Sequence, residues 1–165
     1  MPASNIITTA MAGLSFLWAV LIIALSGNYV ASGGNSSMIA YDLFCGVFAL
    51  LCLLYLIPAS IKESLSFHPI IPLVLYALLT LFWFIGGIAT AAYLHVHSCS
   101  KSAYYLGNHT AGGTQKKCRE AQATTAFLWF GFLSFLAATV LAGLGARGGA
   151  NTRPGVKRGP AMSQV

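Results

Sequence analysis

Charged residues are scarce in this sequence, and acidic residues are the scarcest. Three of the 165 residues are Asp or Glu and nine are Lys or Arg, so 7% of the chain is charged, against roughly 25% in soluble domains. This composition excludes a soluble globular protein. The three acids lie far apart along the chain and form no carboxylate pair, and we find neither a Ser-His-acid order nor a phosphate-binding loop. We therefore predict no catalytic residue and no enzyme.

What the sequence has instead is four long stretches without charge, at residues 1–41, 43–61, 64–100 and 121–146. About 20 apolar residues in a helix cross the ~30 Å hydrocarbon core of a bilayer. Each stretch therefore predicts one span, and the four spans are expected at about residues 6–29, 38–61, 70–95 and 123–144. The predicted fold class is all-α, an integral membrane four-helix bundle with antiparallel up-down-up-down order in residues 1–146.

The ends of the spans carry their own signals. Asp42 is expected in the first turn of the second helix, where the helix dipole favours an anion and water is near. The first span lacks the basic start of a cleavable signal peptide, so we expect it to be retained as a signal anchor. Residues 147–165 are rich in Gly, Pro and Arg and are expected to form a disordered basic tail.

Cysteines and glycosylation motifs indicate the orientation. Cys99 and Cys118 lie in the long third loop, where an oxidising compartment would allow a disulfide; two free thiols or half of a metal site are the alternative. Acceptor motifs for N-glycosylation begin at Asn35 in the first loop and at Asn108 in the third, and Asn108, farther from the membrane, is the better candidate. Together these features place both loops outside and both termini in the cytosol, a side that also has a slight excess of Lys and Arg.

Small residues recur at helix-packing spacing in the third and fourth spans. Such residues let helix backbones approach closely in lipid, and packing within one bundle is favoured over a dedicated oligomer interface. The predicted packing residues are Gly86, Gly87, Ala91, Gly131, Ser134 and Ala138.

The middle of the spans holds no ionisable residue, which argues against a transporter or a proton relay. A pore lined by Ser134, Thr139 or Thr90 is the alternative. His95 and His97 do not converge on one point with Cys99, so we predict no metal site. Aromatic residues in the third and fourth spans form either an interfacial belt or a lipid or sterol surface. We expect no cofactor other than such a bound lipid or sterol.

The positive charges are divided between the third loop and the tail, so we expect no nucleic acid partner. Basic tail residues would contact anionic lipid headgroups, and the last three residues would present a terminal carboxylate to a protein partner. A tail that only sets topology is the alternative. The residues concerned are Arg147, Arg153, Lys157, Arg158, Ser163 and Val165.

One sequence pattern resembles that of a known protein family. His97–Cys99, Cys118–Ala123 running into Ala126–Phe130, and the ending Ser163–Val165 together resemble the fungal tetraspan MARVEL-domain proteins, and among these the family named for non-classical export, found at eisosomes. Cys99 and Cys118 match the loop cysteines of that family. The resemblance implies a four-helix bundle with cytosolic termini that organises eisosome-type furrow microdomains of the plasma membrane.

The same resemblance implies sensitivity to sphingolipid or sterol content rather than catalysis. The leading hypothesis is a structural membrane organiser that associates laterally with itself as a homo-oligomer, with lipids and with a cytosolic eisosome scaffold. An adaptor for non-classical protein export or trafficking and an oligomeric channel or transporter are the alternative functions.

Overall fold

The part of the chain that the structure describes folds into four long α-helices and one short one. This computed structural model describes residues 3–61, 70–95 and 97–151, with side chains from residue 6 to residue 145 within those ranges. The helices are α1 (Ala3–Ala31), α2 (Ser37–Ile61), α3 (Ile70–Leu94), α4 (Ser102–Gly107) and α5 (Gln115–Asn151). A 3-10 turn at His109–Ala111 separates α4 from α5.

Four of these helices are long and apolar enough to cross a membrane. Their candidate spans are Ile6–Ala31, Ser37–Ile61, Ile70–Leu94 and Gln115–Gly145. The predicted all-α membrane bundle is thereby confirmed. The last helix begins at Gln115, earlier than the expected start near residue 123, and it continues to Asn151. The end of α5 thus includes the first residues of the predicted tail, while residues 152–165 lie outside the described residues, and the disordered basic tail at 147–165 stays a prediction.

The four long helices form a ring in which each contacts its neighbours. α1 packs against α2 and α5, and α3 packs against α2 and α5. Apolar residues from all four helices fill the centre, among them Ile22, Leu53, Trp83 and Phe135, each fully buried. The outer faces expose large apolar side chains such as that of Leu54, as expected for surfaces that face lipid.

The contact between α3 and α5 contains two tryptophan–glycine pairs, one with its tryptophan on α3 and the other with its tryptophan on α5. Trp83 of α3 lies over Gly131 of α5, where an added Cβ would overlap the indole ring. Trp129 of α5 lies over Gly87 of α3, where a Cβ would come 3.4 Å from the indole Cε2. These glycines therefore accept bulky side chains from the facing helix.

The other predicted packing residues also face neighbouring helices. Gly86 lies against Asp42 of α2, Ala138 is fully buried and Ser134 is 5% exposed, whereas Ala91 is half-buried. The positions that sequence spacing selected thus contribute to contacts within one chain.

Candidate functional site at the loop end

We call the end of the bundle where residues 32–36, 95 and 97–114 adjoin the ends of the long helices the loop end. Cys99 and Cys118 form a disulfide there, with Cα atoms 5.8 Å apart, as predicted. The bridge joins the segment after α3 to the first turns of α5. Gln122 supports the same junction because its Nε2 donates to the His97 carbonyl at 2.8 Å. Cys99 therefore has no free thiolate to offer a metal.

Tyr29, at the end of α1, is the centre of the loop end. It is 1% exposed, and its hydroxyl donates to the Thr110 carbonyl at 3.1 Å. Gly34 and Gly112 both lie against its ring, and a Cβ on Gly112 would be 2.8 Å from the ring carbon Cε2. The first and third loops thus close over one side chain. Sequence reasoning missed this residue, although glycines in both loops were a signal of close backbone approach.

Asn108 holds the 3-10 turn in place. Its Oδ1 accepts from the backbone N–H groups of Thr110 at 2.8 Å and Ala111 at 3.1 Å, while its Nδ2 donates to the Tyr93 carbonyl at 3.0 Å. Asparagine is suited to this N-cap position. A glycan would occupy the nitrogen that contacts the end of α3, whereas Asn35 is exposed. Glycosylation at Asn35 or Asn108 stays a prediction.

An open groove of about 390 Å³ lies between α1 and α5 at the loop end. Its charged rim includes Lys116, which is 73% exposed and lies 3.8 Å from Glu120. Asn28 of α1 donates to the same carboxylate oxygen at 2.5 Å. Leu25 and Ala123 provide the apolar part of the groove. The groove thus combines an apolar part with a rim that carries two basic residues and one acid, Lys116, Arg119 and Glu120.

Asp42 is not where the sequence placed it. It is the sixth residue of α2 rather than a first-turn residue, and it is fully buried instead of facing water. The hydroxyl of Thr90 in α3 donates to Oδ2 at 2.8 Å. Oδ1 has no hydrogen-bond partner among the described residues and faces Gly86 at the position where a Cβ would be 3.1 Å away. The prediction was wrong because it considered how close Asp42 is to the loop along the chain and not which face of α2 the residue occupies.

The hydroxyls suggested for a pore are bonded inside the bundle. Ser134 accepts from the indole N–H of Trp18 at 3.1 Å, Thr139 pairs with Thr80 at 3.0 Å, and Thr90 donates to Asp42. Each bond joins two helices. Among the described residues these groups therefore connect helices instead of facing a common channel.

Two further grooves open sideways between helices. One, of about 310 Å³, lies between α3 and α5 and is lined by Phe84, Phe132 and the Thr80–Thr139 pair, among others. The other, of about 420 Å³, lies between α2 and α3 beside Tyr55. Of the predicted tail contacts, Arg147 lies in α5 with no described side chain, and Arg153, Lys157, Arg158, Ser163 and Val165 are outside the described residues.

Comparison with known proteins agrees with this architecture. Residues 5–141 match the MARVEL family, described as a membrane-associating domain. The chain is 33% identical over 133 residues to non-classical export protein 2 of Saccharomyces cerevisiae, covering 78% of this chain and 75% of that protein.

Two other relatives carry similar names. Non-classical export protein 102 of Candida albicans is 39% identical over 87 residues, which is 50% of this chain and 51% of that protein, so this match spans about half of each. The Schizosaccharomyces pombe homolog of non-classical export protein 2 is 26% identical, over 73% of this chain and 68% of that protein. No solved structure matches. The chain is therefore a multi-pass membrane protein that belongs to the MARVEL family of membrane-associating domains.

Proposed function

We propose that this protein is a structural component of the plasma membrane that organises eisosome-type furrow microdomains and responds to sphingolipid or sterol content. The loop end faces outward and both termini lie in the cytosol. In this proposal the protein works by binding lipids at its sides, as a homo-oligomer attached to a cytosolic scaffold, and it transforms no substrate.

The observation that supports this proposal is where the polar side chains and the grooves lie in the bundle. Several polar side chains inside the bundle are bonded between helices, as in the Trp18–Ser134 and Thr80–Thr139 pairs. The grooves open outward between helices and are mainly apolar, and the third has a cationic rim at the loop end. A surface of this kind suits lipid chains and headgroups.

Imaging tests the proposal directly. A fluorescently tagged copy is followed beside a marker of furrow microdomains, before and after sphingolipid synthesis is blocked. We expect the tagged protein to concentrate at the marker and to disperse when synthesis is blocked. A uniform distribution in cells with intact microdomains would contradict the proposed function, and the marker provides the internal control.

The names of the relatives favour a second candidate function, an adaptor for non-classical protein export. Such an adaptor would use the terminal residues Ser163–Val165 to bind a partner. Deleting these three residues should then abolish export of the cargo while the protein remains in the membrane. Export that is unchanged in this variant and in a complete deletion strain would contradict the adaptor function.

A further inference from the structure

Asp42 is a buried acid within a membrane span. At 1.5 Å per residue, it lies about 8 Å from the start of α2 at the loop end, and its side chain is fully buried. Thr90 donates to one carboxyl oxygen, and the other has no partner among the described residues. Ionisable residues inside membrane spans are costly and are retained mainly where they have a function.

Among the described residues, none that surrounds Asp42 carries a positive charge. α2 itself presents Tyr41 and Cys45 nearby, and both contact the Phe82 carbonyl of α3, at 3.4 and 3.8 Å. α3 presents Gly86 and Thr90, which do not titrate.

From α5, Leu128 reaches the same glycine. The one described ion pair, between Lys116 and Glu120, is elsewhere. A carboxylate at this position would thus be a buried charge without a counterion, which is strongly unfavourable.

We propose that Asp42 is a proton-binding site that makes the contact between α2 and α3 depend on pH. The neutral acid carries its proton on Oδ1 and accepts from Thr90 through Oδ2. When the proton leaves to water, the carboxylate keeps one hydrogen-bond donor in an apolar environment. The charged form is stable only if water reaches it, so α2 moves away from α3 near the loop end. This inference goes beyond the proposed function and does not depend on it.

Infrared spectroscopy tests whether the Asp42 side chain carries a proton. Besides Asp42 the chain has two acidic side chains, Glu63 and Glu120, so the double variant E63Q/E120Q leaves Asp42 as the single acidic side chain. In lipid vesicles at neutral pH we expect this variant to show the carbonyl stretch of a protonated carboxylic acid. D42N should lack that band, and its amide oxygen can still accept from Thr90. A double variant without the band at neutral pH would overturn the proposal.

The helix movement has a reporter already in the chain. Cys45 lies one turn from Asp42, and it and Cys52 are buried free thiols. The rate at which a water-soluble maleimide modifies Cys45 is measured across pH in the wild type and in D42N, and the ratio of the two rates isolates the effect of an ionisable side chain at position 42. Cys52, two turns deeper, is the reference.

We expect a ratio near one in acid that rises with pH, by up to roughly tenfold per pH unit while the deprotonated fraction is small. The ratio for Cys52 should change less, because water enters from the loop end. A Cys45 ratio that stays constant over the whole pH range would contradict the proposed movement even if the infrared band were present.

Discussion

At the scale of the residue, the bundle depends on the pairing of large and small side chains. Trp83 and Trp129 each lie over a glycine of the opposite helix, Gly131 and Gly87. In lipid no hydrophobic force joins helices, so close packing of this kind is a main source of association.

We predict that Gly131→Ala destabilises the protein, because the added Cβ would overlap the buried Trp83 ring. Overpacking in a well-packed interior costs about 1–3 kcal/mol. Thermal unfolding in detergent measures the effect. Gly143→Ala on the same helix is the matched control, since its Cβ would meet Leu73 at an ordinary 3.6 Å. Equal melting temperatures for the two variants would argue against the Trp83–Gly131 contact.

Sequence spacing identified Gly87 and Gly131 as packing residues but could not name the tryptophans that cover them, because that depends on which helices are neighbours. Asp42 shows the opposite case. Its position near a loop suggested water, yet Asp42, Cys45, Ala49 and Cys52 recur every three or four residues and are all buried. This helical periodicity was the available signal. The role of Asn108 as a cap depends on loop geometry that no local pattern fixes.

At the scale of the element, α5 is the helix that hydropathy described least well. Its first turns, Gln115–Gln122, contain polar and charged residues that a hydropathy window assigns to a loop. Most of these residue types favour helix, and α5 accordingly begins at Gln115. The helix therefore carries Cys118 and Glu120 at the loop end, where they contact the segment after α3 and the end of α1.

We predict that C99A/C118A lowers the free energy of unfolding by about 3 kcal/mol. The bridge joins residues 19 positions apart, and closing such a loop reduces the conformational entropy of the unfolded chain. Thermal unfolding with and without a reductant measures the loss. The wild type should shift toward the double variant when reduced. The matched control, C45A/C52A, removes the two free thiols and should keep the response to reductant. A wild type that is indifferent to reduction would show that the bridge contributes no stability.

At the scale of the whole molecule, the number of spans followed from charge alone, because four uncharged stretches of sufficient length leave few other arrangements. The order of the helices around the ring did not follow from it. That order brings α5 between α1 and α3, and the Tyr29 hydrogen bond and the disulfide join the same elements at the loop end. These contacts join residues that are far apart in the sequence, so the sequence alone does not predict them.

The orientation of the bundle in the membrane can be tested with lysines that the chain already has. We predict that a membrane-impermeant amine reagent modifies Lys116 in intact cells, because this side chain is 73% exposed at the loop end and a disulfide beside it requires an oxidising compartment. Lys157, in the tail, should react only after the membrane is permeabilised. Mass spectrometry of the modified peptides measures both sites in one sample.

The variant K116R is the matched control, since it keeps the charge and removes the reactive amine at that site. Its Lys157 should behave as in the wild type. If Lys157 reacted in intact cells and Lys116 only after permeabilisation, the bundle would have the opposite orientation. The disulfide would then face a reducing compartment, and the cationic rim of the groove between α1 and α5 would meet the cytosolic leaflet, where anionic lipids are concentrated.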